Sequence, residues 1–277
     1  MNSRASALAL RQSEQPVARF RKLLSYLPKG LLLPLLILGA LELSVGLGWI
    51  PAHLMPAPSD LLLTFGELAE GPLWVHILAS LQRVLIGFSV GAGLALLLGS
   101  LIATSPRLEG YVDPTFQALR AVPGLAWVPL LLIWLGIDEL SKVTLIAIGS
   151  FFPVYMNVLA GIHNVDRKLV EVGRQLGFSR ARQIRRIMVP AAQPYLFTGL
   201  RNGLSMAWLC VVAAELLAAT EGIGYLLTDG REVSRPDLVL VAIITLALMG
   251  KLTDSLLKHL EQRLLSWRDS LDREQNT

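Results

Sequence analysis

The sequence predicts an all-α, polytopic membrane protein with six transmembrane helices and both termini cytoplasmic. Three observations carry this. Of the 277 residues, 53% are hydrophobic and only 17% charged, whereas soluble domains carry about 25% charge. Apolar runs recur at close to the ~20 residues that cross a bilayer. Lys and Arg also alternate between loops. With the N-terminus inside, segments 1–29, 104–111, 163–193 and 258–277 hold 18 of them, and outer segments 51–82, 138–142 and 220–236 hold 3. That is the positive-inside bias, and it accounts for the net charge of +4 without nucleic acid. A single cysteine, Cys210, excludes a disulfide framework and a Cys-rich metal site. His53, His76, His163 and His259 form no ligand pattern.

Residues 1–29 read as a cytoplasmic arm, with Arg4, Arg11, Arg19, Arg21, Lys22 and Lys29 against Glu14. The apolar run that follows exceeds a signal-peptide core, and no small-x-small site closes it. Span 1 covers Leu31–Ile50, with Glu42 expected to face protein, since an unpaired charge in hydrocarbon is costly. After a proline-rich turn, Ser59 or Asp60 is placed to cap a short helix to Glu70. Span 2 covers Arg83–Ala103, its helix starting near Pro72. Arg83, Gly87 and Gly91 share one face, and the two glycines suit close helix contact. Span 3 covers Val112–Ile137, broken by Pro123, Gly124 and Pro129, with Arg120 before the break. Two readings stand: a helix lining a moving or aqueous region, or a kinked packing helix. Span 4 covers Val143–Ile162, with a polar-small stripe of Ser150, Pro153, Asn157 and Gly161. Span 5 covers Pro194–Ala219 and aligns Arg201, Ser205, Trp208, Val212 and Glu215 on one face. The connection 220–236 breaks at Gly222-Ile223-Gly224. Span 6 covers Asp237–Leu257 and ends with an Asp254–Lys258 pair at i, i+4 spacing. The parts are therefore the arm 1–29, a six-helix membrane domain 30–258 containing the cytoplasmic loop 163–193, and a cytoplasmic tail 259–277. No internal repeat is visible.

Little in the chain suggests its own chemistry. Gly250-Lys251 ends in Leu252 where a Walker A motif needs Ser or Thr. Gly87-Phe-Ser89-Val-Gly91 matches the nucleophile-elbow pattern of hydrolases, but that elbow needs a strand-to-helix turn and this match lies in mid-helix. No HExxH and no dinucleotide fingerprint occur. The distinctive stretch is Leu169–Pro190, with Arg174, Arg180, Arg182, Arg185 and Arg186. It reads as two short helices turned about Gly177, a shape that a partner can grip.

Within it, Glu171-Val-Gly173, three residues, Gly177, nine residues, Ile187, two residues and Pro190 resemble the EAA loop of ABC importer permeases. Val172 and Gly173 stand where that pattern has alanines, and Val189 where it has leucine. Arg120-Ala-Val-Pro-Gly, Trp134-Leu-Gly-Ile and the run from Ala214 to Tyr225 are similar to the nitrate/sulfonate/taurine branch, and within it to the aliphatic sulfonate permeases. The resemblance runs from span 1 to Trp267. It implies the type I ABC importer (MetI-like) permease fold in the bacterial inner membrane. The implied function is a translocation pathway for alkanesulfonates, with taurine or nitrate as alternatives and an intramembrane hydrolase as the rival of another class. Implied partners are a second permease copy, two cytoplasmic ABC ATPase subunits carrying ATP and Mg, and a periplasmic sulfonate-binding protein. This chain is expected to bind no cofactor or metal, to have no catalytic residue and to contact lipid. Glu171, Gly173, Gly177, Arg180, Ile187 and Pro190 are the expected ATPase-coupling positions. For the pathway or gate the candidates are Arg120, Asn157, Arg201 and Ser205, and Arg83 with Glu215 is expected as an intramembrane pair.

Overall fold

A computed structural model describes residues 29–265. The basic arm before Lys29 and the tail after Leu265, including Trp267, Arg268 and Arg273, lie outside the described residues. Every regular element among the described residues is helical. The chain divides into two compact units at Gly66.

In the first unit, α1 (Lys29–Gly46) leads through a turn to the start of α2 (Pro58–Glu70). The turn carries Gly48 at φ +74°. Glu42 accepts hydrogen bonds from the Ser59 N–H at 3.0 Å and the Ser59 hydroxyl at 2.8 Å. Its charge therefore sits at the positive end of α2. Asp60, in the first turn, reaches back to the Ala57 N–H at 3.2 Å. The cap thus comes from inside the helix, because α2 begins at Pro58.

The second unit holds the packed bundle. Its elements are α3 (Leu73–Ala103), α4 (Pro106–Ala121), a 3-10 turn (Gly124–Trp127), α5 (Val128–Leu135) and α6 (Glu139–His163). There follow α7 (Arg167–Gln175), α8 (Arg180–Gln183), a π turn (Ile184–Met188), α9 (Val189–Ala218), α10 (Ile223–Glu232) and α11 (Pro236–Leu264). Helix α6 lies between α3 and α9. Lipid supplies no hydrophobic force between helices, so small residues that permit close approach drive the packing. Gly87 and Gly91 of α3 seat against Ile146, Ala147 and Ser150 of α6. On the other side, Gly203 of α9 seats against Ser150 and Val154. The expected polar-small stripe of α6 faces this seam, with Ser150 and Gly161 buried and Asn157 half-buried. Two apolar cores result, one around Leu73, Ile146, Val211 and Ile223, the other around Ala95, Tyr155, Val158 and Ala192. The Tyr155 hydroxyl donates to Asp113 at 3.1 Å and ties α4 to α6. On α3, Leu78, Leu85, Leu94 and Leu101 are exposed, as a lipid-facing surface requires.

Several expected boundaries shift. Among the described residues, four helices are long and apolar enough to cross a membrane: α3, α6, Arg180–Leu217 and α11. Span 3 is not one helix. Its two halves bend by 90° between Ala121 and Gly124. Pro123 forces Val122 into extended backbone, ψ 121°, as the residue before proline prefers. Pro129 does not kink a helix; it lies in the first turn of α5, where its missing N–H costs nothing. Helix α1 ends at Gly46 rather than Ile50, and its apolar stretch is shorter than the four spans. Span 5 starts well before Pro194, since Arg180–Leu217 is continuous through the π turn. That turn directly precedes Pro190, which removes one helical hydrogen bond. Asp254 does not pair with Lys258. It accepts instead from Arg201 of α9, at 2.8 and 3.2 Å, because a bidentate guanidinium across the interface outcompetes a flexible same-face lysine.

Candidate functional site

The loop 163–193 folds as a helical hairpin. Asp166 caps α7 by accepting from the Lys168 N–H at 2.9 Å. The far end of α7 closes in a Schellman motif: the Phe178 N–H bonds to the Gly173 carbonyl at 2.9 Å, and the Gly177 N–H to that of Arg174 at 3.0 Å. Gly177 sits at φ +72° with nothing within 4 Å of where a Cβ would lie. The position therefore needs glycine for its backbone, not for space. Gly177→Ala is expected to weaken the hairpin by about 1–2 kcal/mol, and Gly177→Asn by less. Amide exchange at residues 177 and 178 measures this; equal exchange in wild type and the alanine variant refutes it.

Gly173 is buried for a different reason. A Cβ there would meet Ile187 Cδ1 at 2.4 Å, so the hairpin's two arms close on this contact. Ile187 lies in the π turn and Pro190 in the first turn of α9. Arg180 donates to the carbonyl of Thr104, at the C-terminal end of α3, where the helix dipole favours a cation. The hairpin is thus tied to α9 by continuous helix and to α3 by Arg180. Glu171 is exposed. So are Leu169 (49%), Val172 (52%) and Leu176 (66%), at i, i+3 and i+7, one face of α7. Counting charges obscures this apolar stripe, although its helical spacing was present in the sequence. Arg182 lies over the Phe178 ring at 5.6 Å.

The pathway candidates are not gathered in one place. Arg120 is exposed at the end of α4 and Ser205 is exposed on α9. The Ser205 hydroxyl bonds to the Arg201 carbonyl at 3.1 Å. Asn157 donates to the Pro153 carbonyl at 2.8 Å and packs against Gly199 of α9. Arg201 is held by Asp254, with Glu261 at 3.7 Å. The Trp208 indole N–H donates to Thr253 at 2.9 Å, so the Arg201 face of α9 binds α11.

Arg83 and Glu215, both buried, come together inside a larger network that reaches the surface at Glu139. Arg83 Nη1 donates to Glu215 Oε1 at 2.7 Å. The rest of its fork grips Glu139, with Nε to Oε2 at 2.7 Å and Nη2 to Oε1 at 2.8 Å. Lys142 adds a bond to Glu139 at 2.8 Å. Glu215 also accepts from the Ser80 hydroxyl at 2.7 Å and the Gly224 N–H at 2.8 Å. The connection before α10 is tied to the same network: Arg83 donates to the Glu221 carbonyl at 2.5 Å, the Gly222 N–H to His76 at 3.1 Å and the Ile223 N–H to Ser80 at 2.8 Å. Gly222, at φ +129°, leaves room only for the Glu215 carboxylate. Glu139, Lys142, His76 and Ser80 had no signal in the sequence, because nothing there sets the depth at which α6 enters beside α3. Ser89 lies in the middle of α3 and is exposed; no strand-to-helix elbow surrounds it. Among the described residues no His, Cys, Asp or Glu cluster suits a metal.

Comparison with known proteins places these features. The family model described as binding-protein-dependent transport system inner membrane component matches residues 94–266. The chain is 46% identical over 245 residues to SsuC of Bacillus subtilis (strain 168), named as an aliphatic sulfonates transport permease protein, with 88% of this chain and 89% of that one covered. It is 34% identical over 245 residues to the taurine transport system permease protein TauC of Escherichia coli (strain K12), with 84% and 89% covered. Among solved structures it aligns with a chain of an amino acid ABC transporter at TM-score 0.59 and 20% identity, covering 72% of this chain and 97% of that one. That likeness is one of fold.

Proposed function

The chain belongs to the family of binding-protein-dependent transport system inner membrane components, and on that premise we propose that it is the permease subunit of an ABC importer for aliphatic sulfonates. The observation that carries the substrate class is the 46% identity, over most of both chains, to a relative named for aliphatic sulfonates, against 34% to one named for taurine. The permease supplies the pathway, and ATP with Mg belongs to the partner ATPase. The chain then sits in the bacterial inner membrane as one of two copies, with α1 and the bent α4–α5 pair completing six spans and both termini cytoplasmic. The Lys/Arg bias supports that orientation.

The hairpin α7–α8 suits the coupling role. Its exposed Leu169, Val172 and Leu176 present an amphipathic face of the kind that lies in a hydrophobic groove, with Glu171 beside it. Movement of the hairpin reaches α9 through unbroken helix and α3 through Arg180 and Thr104. The Gly173–Ile187 contact makes the two arms move together. Arg120, Asn157, Arg201 and Ser205 remain the proposed pathway or gate positions for an anionic substrate, where holding must be weak enough to release it.

Growth on single sulfonates as sole sulfur source tests the substrate. Deletion of this chain is expected to abolish growth on alkanesulfonates and spare growth on inorganic sulfate. Unchanged growth on alkanesulfonates, with loss on taurine alone, overturns the assignment. For coupling, Val172→Asp with Leu176→Asp is expected to cut substrate-stimulated ATP hydrolysis at least about tenfold without lowering the amount of inserted permease. Full stimulation in that variant would remove α7 from the interface. Ser89→Ala is expected to retain uptake, and its loss would favour the hydrolase.

A further inference from the structure

A cleft of about 530 Å³ opens beneath the end of α3, between Thr104 and Pro106 on one side and Val170, Arg174, Arg180 and Ile184 on the other. Two guanidinium groups line it and no carboxylate does. Arg180 gives one donor to the Thr104 carbonyl and keeps the rest of its five N–H groups for an anion. Apart from Thr104 and Gln183 the remaining wall is apolar, and it continues onto the lipid-facing side of α3. There Leu97 (59% exposed) and Leu101 (56% exposed) stand in line with Thr104 at i, i+4 and i+7. The docking stripe of α7 is elsewhere: Val170 and Arg174, one turn apart, lie on roughly the opposite face from Val172 and Leu176. A partner seated on the stripe leaves the cleft open to the membrane.

We propose that this cleft holds the phosphate headgroup of an anionic phospholipid, with an acyl chain laid along Leu101 and Leu97. It rests on the inward orientation proposed above, which puts Arg174 and Arg180 at the headgroup level of the inner leaflet. Basic pockets at that level take anionic headgroups. The bound lipid would brace the joint between the coupling hairpin and α3, so the lipid composition would bear on coupling.

The test uses the full chain, purified and exchanged into nanodiscs of equal phosphatidylglycerol and phosphatidylcholine, with tightly retained lipid counted by native mass spectrometry. The wild type is expected to retain phosphatidylglycerol over phosphatidylcholine by about fivefold or more. Arg174→Gln, at an exposed position that leaves the fold intact, is expected to lose most of that preference, and Arg182→Gln, outside the cleft, to keep it. Equal retention of the two lipids overturns the proposal, as does a preference unchanged by Arg174→Gln. Two additions separate other occupants. Release of the lipid by millimolar inorganic phosphate assigns the cleft to free phosphate. Release on adding the ATPase subunit assigns it to an acidic protein segment. Either result overturns the lipid assignment. The readout contains no uptake, so its failure leaves the transport reading standing, and failure of uptake leaves the lipid count standing.

Discussion

Arg83→Ala is expected to destabilise the protein by about 3–5 kcal/mol and to leave little folded permease in the membrane. The reason is what remains behind. Glu215 is 1% exposed, and without the guanidinium it keeps only Ser80 and Gly224 as partners. Glu139 would retain Lys142, and it is 58% exposed in its side chain, so water can take over there. The cost therefore falls on Glu215 and on the Glu221 carbonyl, which also loses its donor. Glu215→Ala strands Arg83 less completely, because Glu139 still holds two of its nitrogens. It is expected to cost less than Arg83→Ala. An apolar double replacement, Arg83→Met with Glu215→Leu, removes both buried charges and should recover more than half of the loss. Thermal unfolding in detergent of the wild type, Arg83→Met, Glu215→Leu and the double variant gives the cycle. Additive single effects, with no recovery in the double variant, would show that the two side chains act independently.

How much of this was legible beforehand differs from element to element. The bundle was readable because lipid demands it: apolar length and the Lys/Arg bias act over whole segments and survive local error. The α7–α8 hairpin was readable because its signals are local. Gly177 must be glycine at φ +72°, and the distances from Glu171 to Gly177 and on to Pro190 lie within one short stretch. The Arg83–Glu215 pair followed from two charges placed at similar depths on apolar helices. Its other members did not. Glu139 and Lys142 read as part of the outer turn 138–142 before span 4, and His76 as part of a lead-in. Only the α3–α6 register, set by Gly87 and Gly91 against Ile146 and Ala147, carries them to Arg83. Asp254 shows the same limit: its same-helix neighbour Lys258 was visible in the spacing, and its partner Arg201 on another helix was not. The 90° bend was half visible. Three breakers marked the place, but whether Pro129 kinks a helix or begins one depends on where Pro123 has already ended it.

That register is the ground for the second large effect. Gly91→Val is expected to cost about 3 kcal/mol or more and to abolish uptake. A Cβ at residue 91 would lie 2.3 Å from both the Ala147 carbonyl oxygen and the Ser150 hydroxyl. The first is backbone in the middle of α6 and cannot rotate away, so α3 and α6 must separate. Separation is not local. Arg83 lies two turns along the same face of α3 and would be withdrawn from Glu139. Thr104, at the other end of the helix, would shift against Arg180 and loosen the hairpin. Gly93→Val is the matched control, since nothing lies within 4 Å of that position and a β-branched side chain there meets lipid; its effect should stay within about 0.5 kcal/mol. Gly91→Ala should fall between the two. Detergent-resistant folding, read by fluorescence-detected size exclusion, and sulfonate uptake in the same cells are the measurements. If Gly91→Val and Gly93→Val behave alike, the close α3–α6 contact does not set the register, and the buried charges must do so by themselves.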